Sequence, residues 1–235
     1  MLDGIFRRRN LPHWDLAGKA YFITGCLDGS ISSVGLKRIR TYRDELDARP
    51  RPEKLSPADW EHHKHKLVFA LVDELLDKQS PVQHLADERQ AEIVQNAFLH
   101  FAGERYALFA FVVMPSHHHW LFLPDETWGE SAVVKSRQRD GRQRTPREII
   151  SHSIQSYTAS HCNRVRGATG PYWQIETFDH WVRDDGELHR IITYIENNPV
   201  VAGFVARPED WRWSSAPLRK RLGIPDGQRI LKPVA

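Results

Sequence analysis

The strongest constraint on the fold is a nearly continuous apolar run, YALFAFVVM, at residues 106–114 in the middle of the chain. A short run without polar alternation, followed by a turn, is typical of a strand buried on both faces. Pro115 and Ser116 favour a turn, and residues 117–123, HHHWLFL, have the composition of a second strand. The segment therefore predicts two neighbouring strands of a sheet, with further strands at residues 20–25 and 178–183.

Helix-capping patterns predict the other elements. Ser56-Pro57-Ala58-Asp59 predicts the start of a helix that runs to about residue 77, and Thr145-Pro146-Arg147-Glu148 predicts a second start, with an end near residues 166–167. Apolar spacing predicts helices at 87–101 and at 184–197, the latter stopped by Pro199. The predicted fold is α+β: a small antiparallel sheet with helices packed mainly on one face. Strand order does not follow from spacing.

The composition excludes several classes of protein. Hydrophobic residues make up 40% of the 235 residues and charged residues 27%, and no apolar run approaches the roughly 18 residues that a membrane helix needs. Residues 1–10 lack the apolar core of a signal peptide, so we expect a cytoplasmic protein. Cys26 and Cys162 are far apart and predict neither a disulfide framework nor a thiolate zinc site. The net charge of +3 is compatible with nucleic acid binding but does not require it.

A histidine pair lies in the second predicted strand. Side chains alternate along a strand, so His117 and His119 share one face, where two imidazoles can converge on one metal ion, and His118 points to the other face. The alternative is that these histidines lie at a solvated edge of the sheet. His63 and His65 also form a His-x-His pattern, but in a predicted helix, where residues two apart do not share a face, so we expect them at the helix surface.

A tyrosine and an asparagine share one side of the last predicted helix. Leu188, Ile191, Ile192 and Ile195 define its buried stripe. Tyr194 lies at the border of that stripe, with Asn198 four residues later and Glu187 seven residues earlier on the same flank. A boundary tyrosine that only packs its ring is the common alternative.

Taken together, these segments resemble one enzyme family. The sequence MPSHHHWLF resembles the His-hydrophobe-His (HUH) motif of single-tyrosine transposases, and YIENNPVVAG followed by WSS is similar to the REP-associated tyrosine transposases within them. The likeness covers about residues 10–216, and His118 departs from it, because the family has a bulky hydrophobe there. The resemblance implies a ferredoxin-like or RRM-like sheet, the HUH endonuclease fold.

The resemblance also implies roles for individual residues. His117, His119 and Asn198 would bind a divalent metal, Mg²⁺ or Mn²⁺, and Tyr194 would attack a phosphodiester to give a 5′-phosphotyrosine and a free 3′-hydroxyl. A phenol with a pKa near 10 needs activation, for which Asp179 and His180 are candidates, with Glu187 as a further supporting residue. The implied partner is single-stranded, hairpin-forming DNA, and the oligomeric state, monomer or homodimer, is left open.

Basic residues could hold the DNA phosphates. The candidates are Arg7, Arg8 and Arg9 in the N-terminal arm, and Lys135, Arg137, Arg139, Arg142, Arg144 and Arg147 in an Arg-rich segment. A solvated loop is the alternative for that segment. The expected organisation is a basic arm at 1–18, one catalytic domain at 19–216 with a helical insertion at about 41–85 and a basic loop at about 128–145, and a tail at 217–235.

Three functions are compatible with these patterns. The first is metal-dependent DNA nicking and joining. The second is a domesticated protein that binds hairpin DNA with weak or no cleavage, which the altered His118 favours. The third is an unrelated metal-dependent phosphoesterase, which would not need Tyr194 and would form no covalent protein–DNA adduct.

Overall fold

The computed structural model describes residues 4–8, 12–175, 177–225 and 227–230, with side chains from residue 15 onward except at 58, 62 and 79. Strands β1 (Gly4–Arg8) and β2 (Pro12–Leu16) pair with each other in antiparallel orientation. The main sheet contains β3 (Tyr21–Cys26), β4 (Tyr106–Val113), β5 (His117–Pro124) and β6 (Phe178–Trp181). The helices are α1 (Ser33–Ala48), α2 (Pro57–Gln79), α3 (Glu88–His100), α4 (Glu126–Asp140), α5 (Pro146–Arg166), α6 (Asp185–Val201) and α7 (Ser215–Leu222).

The main sheet has ferredoxin-like topology. Its strands lie in the order β4-β5-β3-β6, and every neighbouring pair is antiparallel. Helices connect β3 to β4 and β5 to β6, whereas β4 and β5 are joined by the turn at Pro115 and Ser116. If the four strands are counted along the chain, the order from the opposite edge is 4-1-3-2. The predicted α+β, ferredoxin-like fold is therefore confirmed.

The two faces of the sheet are covered by different helices, and in this the layering differs from the prediction that helices lie mainly on one face. On one face α3 and α5 pack against the strands, and the rings of Phe98 and Trp120 stack there with centroids 4.9 Å apart. On the other face Ile192 and Ile195 of α6 pack against Phe22, together with Phe69 of α2. The reason lies in β4, which is apolar at both alternating sets of positions and so needs cover on both sides.

The segment expected to be a basic loop at about 128–145 is largely the helix α4, so that prediction is wrong. The Asp125 side chain accepts a hydrogen bond from the backbone N–H of Trp128, and Gly141 ends the helix in the left-handed conformation. These two capping residues specify a helix even though the segment lacks a clear apolar stripe. Only residues 141–145 remain as a connection before α5.

The last long helix also ends later than predicted. Pro199 was expected to stop it, but α6 continues to Val201 with Pro199 inside. The missing proline N–H removes one helical hydrogen bond, which costs little so close to the helix end. Bonds from the Ala202 and Phe204 N–H groups to the carbonyls of Asn198 and Pro199 close the helix.

Buried ion pairs join elements near both ends of the described chain to the rest of the fold. Arg147 at the start of α5 bonds the Asp15 carboxylate of β2, with Nη2–Oδ2 at 2.9 Å, and lies 3.3 Å from Asp179 of β6. Near the other end, Arg219 of α7 donates to Glu196 of α6 at 3.1 Å. Residues 217–222, expected to begin a tail, thus continue α7. Of the helices among the described residues, none has the length and apolar character needed to cross a bilayer.

Candidate active site

The two histidines share the sheet face that α2 and α6 cover. In the β3–β5 pairing His119 lies opposite Thr24 and His117 opposite Cys26, so both imidazoles point to the same side, as the alternation predicts. Both side chains are completely buried, and their ring centroids are 4.8 Å apart. The pair is therefore not at a solvated sheet edge.

Hydroxyl groups orient both rings. Ser116 Oγ donates its one hydrogen to the carbonyl of Leu76 at 3.0 Å, so its contact of 3.0 Å with His117 Nδ1 requires the proton on that nitrogen. Nε2 of His117 is then left with a free lone pair, as metal binding requires. Thr24 Oγ1 lies 2.7 Å from Nδ1 of His119, and the hydrogen bond between them holds that ring in place.

A carboxylate from α2 meets the two histidines. Oδ1 of Asp73 lies 3.1 Å from Nε2 of His119 and 3.9 Å from Nε2 of His117. Each of the three residues offers a ligand atom, and these atoms lie within 4.8 Å of one another. Asp77, one helical turn later, places its own Oδ1 3.9 Å from Nε2 of His117.

Tyr194 and Asn198 reach the same carboxylate from α6. The Tyr194 hydroxyl donates a hydrogen bond to Asp73 Oδ2, and Nδ2 of Asn198 donates to the same oxygen at 3.4 Å. The Tyr194 ring contacts Phe22 and Phe69, with centroids 5.9 and 6.0 Å away. The structure therefore brings four of the residues predicted from the sequence together around Asp73, which the sequence did not predict; they are His117, His119, Tyr194 and Asn198.

The site contains buried polar atoms that make no well-directed hydrogen bond to a described residue, although Oδ1 of Asp73 and Nε2 of His119 lie 3.1 Å apart. They are Nε2 of His117, Nε2 of His119, and the Oδ1 atoms of Asp73, Asp77 and Asn198. Buried polar groups are normally hydrogen-bonded, and unpaired buried carboxylates are costly. Imidazole nitrogens with carboxylate and amide oxygens form a donor set that suits Mn²⁺ and tolerates Mg²⁺, so these residues fit a divalent cation.

The electrostatics of the site follow from burial and from the proximity of the two carboxylates. Burial alone would raise the pKa of Asp73, but the adjacent His119 and His117 imidazoles outweigh it and lower the pKa to about 2. Burial, and then the Asp73 charge, raise the pKa of Asp77 to about 7. Burial lowers the pKa of His117 to about 3, so its imidazole is neutral at pH 7. Burial and the Asp73 charge raise the pKa of the Tyr194 hydroxyl well above its usual value.

His118 faces the opposite layer, as expected from alternation. Its ring lies between Phe98 and Trp173, with centroids 5.1 and 4.9 Å away, and it is opposite Gly25 in the sheet. Burial, followed by the charges of His119 and His117, lowers its pKa well below the usual value, so the imidazole is neutral. His118 takes the place of a core hydrophobe and does not alter the ligand pair.

Of the three suggested supporting residues, Asp179 lies on the wrong side of the sheet. Asp179 is opposite Ile23 in the β3–β6 pairing, on the sheet face away from His117 and His119, and is ion-paired with Arg147. It therefore cannot activate Tyr194, and that prediction is wrong. His180 contacts Glu187 at 3.2 Å at the start of α6, where Glu187 accepts a hydrogen bond from the backbone of Arg183.

The basic residues of the Arg-rich segment divide into two groups. Lys135, Arg137 and Arg139 on α4, and Arg142 just after it, are exposed and available to a ligand. Arg144 bonds Asp140 and Ser136, and Arg147 is buried in its ion pair with Asp15, so Arg147 is not a phosphate contact as first suggested. Arg7 and Arg8 lie on β1, whose side chains the structure does not describe. Arg9 lies outside the described residues.

A sequence signal for Asp73 does exist. Asp73 and Asp77 are four residues apart in LVFALVDELLDK, a segment of α2 whose neighbours Val72 and Leu76 are buried. Two acids at helical spacing beside an apolar stripe indicate carboxylates carried toward the core. Which part of the sheet they approach depends on how α2 packs, and the local sequence pattern does not predict that packing.

Comparisons with known proteins agree with the motifs. No protein-family model matches the chain. Over 107 residues, 45% of the chain, it is 27% identical to a Haemophilus influenzae protein named "Putative REP-associated tyrosine transposase", and the match spans 56% of that relative's length. A solved structure titled as a REP-associated tyrosine transposase bound to a REP hairpin matches with a TM-score of 0.49 and 16% identity, over 97% of this chain and 93% of the other. The resemblance first indicated by the HUH, tyrosine and WSS motifs is thus confirmed by a curated relative, and the chain is similar to the REP-associated tyrosine transposases.

Proposed function

We propose that the protein nicks and rejoins single-stranded DNA, with a divalent metal as cofactor and a covalent 5′-phosphotyrosine as intermediate. The observation that carries the proposal is the convergence of the Tyr194 hydroxyl and the two imidazole Nε2 atoms on one carboxylate, Asp73. A nucleophile beside a metal site is the arrangement that metal-assisted phosphoryl transfer to a side chain requires.

His117, His119 and Asp73 are the residues that would hold the cation, with Asn198 Oδ1 beside them. When bound, the cation would act as a Lewis acid toward the scissile phosphate. The hydroxyls of Ser116 and Thr24 fix the imidazoles, and the aromatic rings of Phe22 and Phe69 flank Tyr194. The site is thereby built before substrate arrives.

Tyr194 is the proposed nucleophile. Its oxygen would lose its proton and form a bond to the phosphorus while the bond from phosphorus to the 3′ oxygen breaks. The 3′ oxygen would take up a proton, which leaves a 5′-phosphotyrosine and a 3′-hydroxyl. The Asp73 carboxylate is the group that the phenolic O–H contacts, and it orients the hydroxyl. Attack by another 3′-hydroxyl would reverse the step and join the strands, since the energy of the phosphodiester is retained.

The proposed substrate is hairpin-forming, palindromic single-stranded DNA. The resemblance to REP-associated tyrosine transposases supports this class of substrate. The exposed Lys135, Arg137 and Arg139 on α4 supply positive charge for the phosphate backbone. The same proposal includes transposition of DNA as the biological use of this nicking and joining.

The test is incubation with end-labelled hairpin oligonucleotides and Mn²⁺, followed by a denaturing gel. We expect a protein–DNA adduct with the wild type and its loss with Tyr194→Phe, with His117→Ala and with excess EDTA. Tyr157→Phe, a half-exposed tyrosine on α5, is the matched control and should leave the adduct unchanged. Cleavage that survives Tyr194→Phe would instead indicate a phosphoesterase.

A hairpin-binding protein without cleavage is the second candidate. The raised pKa of Tyr194, caused by burial and the Asp73 charge, favours it when no cation is bound. Tight binding without adduct, across several hairpins and with both Mn²⁺ and Mg²⁺, would decide for this candidate.

A further inference from the structure

We propose that Asp77 is a further metal ligand, so that α2 supplies two carboxylates, from Asp73 and Asp77, to the cation. The proposal rests on the metal dependence in the proposed function and extends it. The sequence motifs give Asp77 no role, and the cluster of His117, His119 and Asp73 does not include it.

The position of Asp77 places its carboxylate beside the histidines. Residues four apart on a helix share a face, so Asp73 and Asp77 point in the same direction from α2. Oδ1 of Asp77 lies 3.9 Å from Nε2 of His117, the same separation as between that nitrogen and Oδ1 of Asp73. Atoms bound at about 2.0–2.2 Å from one ion are roughly 3–3.6 Å apart, so the Asp77–His117 pair needs to close by less than about 1 Å to reach the spacing of two ligands of one cation.

Among the described residues, none donates a hydrogen bond to Oδ1 of the Asp77 carboxylate. Its side chain is 8% exposed, and its Oδ1 atom is buried without a hydrogen-bond partner. The neighbouring Lys78 side chain is 70% exposed and reaches toward Glu74 instead, with Nζ–Oε1 at 4.0 Å. An ionised carboxylate in this state is costly unless a cation or a proton neutralises it.

Two carboxylate ligands change which cation the site prefers. With both ionised, they balance the two charges of a divalent cation, and with two imidazoles they make a mixed N/O ligand set. Such a set favours Mn²⁺ over the purely oxygen-ligated Mg²⁺ and Ca²⁺. Without a cation the two carboxylates repel each other, so removal of one charge should not destabilise the metal-free protein.

The experiment is calorimetric titration of the purified full-length protein with Mn²⁺, for the wild type, Asp77→Asn, Asp77→Glu and Glu74→Gln. Loss of a ligating carboxylate should weaken Mn²⁺ binding by at least about tenfold. Asp77→Glu should restore part of the affinity. Glu74→Gln removes an exposed acid from the same helix and should bind as the wild type does. Melting in EDTA should show an unchanged or higher Tm for Asp77→Asn.

Two outcomes would overturn the proposal. One is wild-type Mn²⁺ affinity in Asp77→Asn while His117→Ala loses binding. The other is a lower Tm in EDTA for Asp77→Asn with unchanged Mn²⁺ affinity, which would assign Asp77 a structural role. In both, the adduct of the wild type with hairpin DNA would persist. Absence of that adduct together with intact Mn²⁺ binding would contradict the proposed function and leave the ligand assignment standing.

Discussion

The hydroxyl of Tyr194 donates a hydrogen bond to the carboxylate of Asp73, across 121 residues of sequence, and so joins α6 to α2 over the face of the sheet that carries the histidines. The same carboxylate contacts His119 at 3.1 Å through its other oxygen. One acidic side chain therefore connects the proposed nucleophile with the proposed metal ligands. A substitution of Tyr194 should therefore affect metal binding, and metal binding should affect the contribution of Tyr194 to stability.

Tyr194→Phe tests this connection through stability as well as activity. Without metal, the variant leaves Asp73 with one hydrogen-bond donor fewer, and we expect the free energy of unfolding to fall by about 1.5–3 kcal/mol. With saturating Mn²⁺ the loss should be smaller, because the cation compensates the carboxylate. Urea denaturation in EDTA and in Mn²⁺ measures both values. An equal loss in the two conditions would show that the cation does not engage Asp73.

Much of this site could be predicted from the sequence because its signals are local. Strand alternation places His117 and His119 on one face, and helical spacing places Tyr194 and Asn198 on one flank. The capping box at Thr145 and Glu148 likewise predicts the start of α5 within one residue. Each of these inferences needs only neighbours in sequence.

The missed features depend on contacts distant in sequence. Asp73 lies in the site because α2 approaches the start of β5, where Ser116 bonds the Leu76 carbonyl. The spacing of residues within α2 does not predict that contact. Asp179 is excluded from it because the β3–β6 register turns the side chain toward Arg147 on the other face. The helix α4 has no apolar periodicity and is specified by its caps, Asp125 and Gly141, so apolar spacing does not reveal it.

Gly25→Ala tests how His118 is accommodated. A Cβ atom at residue 25 would lie 2.3 Å from Nε2 of His118, and that ring cannot move away because Phe98 and Trp173 enclose it. We expect a loss of about 1–3 kcal/mol in the free energy of unfolding. Adding His118→Ala should remove the clash, so the double variant should be more stable than the sum of the single losses implies. Strict additivity in urea denaturation would contradict the contact.

Replacement of His118 should also change how stability depends on pH. Burial holds the pKa of His118 in the folded protein well below that of an unfolded histidine, near 6.5. The unfolded chain therefore binds a proton that the folded chain excludes, and stability is lost as pH falls below about 6.5. His118→Leu should remove this contribution, which has a limiting slope of about 1.4 kcal/mol per pH unit.

Urea midpoints in EDTA between pH 7.5 and pH 5 would measure that slope for the wild type, for His118→Leu and for His152→Phe. His152 is an exposed histidine on α5, and its replacement should leave the slope unchanged. A wild-type slope in His118→Leu would mean that His118 does not exclude the proton.

The exposed basic residues of α4 should contribute to DNA affinity through charge alone. Each phosphate contact lowers the slope of log affinity against log salt concentration by roughly 0.7 for single strands and 0.9 for duplex. The triple variant Lys135→Gln, Arg137→Gln, Arg139→Gln should therefore make the slope for a hairpin oligonucleotide shallower by up to about 2–3.

The matched control is Lys37→Gln, Arg38→Gln, Arg40→Gln, which removes the same charge from exposed positions of α1. Fluorescence anisotropy between 50 and 300 mM salt, with Tyr194→Phe as the common background to prevent cleavage, measures both. Equal slopes for the two triple variants would show that net charge, and not the surface of α4, accounts for binding, because a localised contact must depend on where the charges lie.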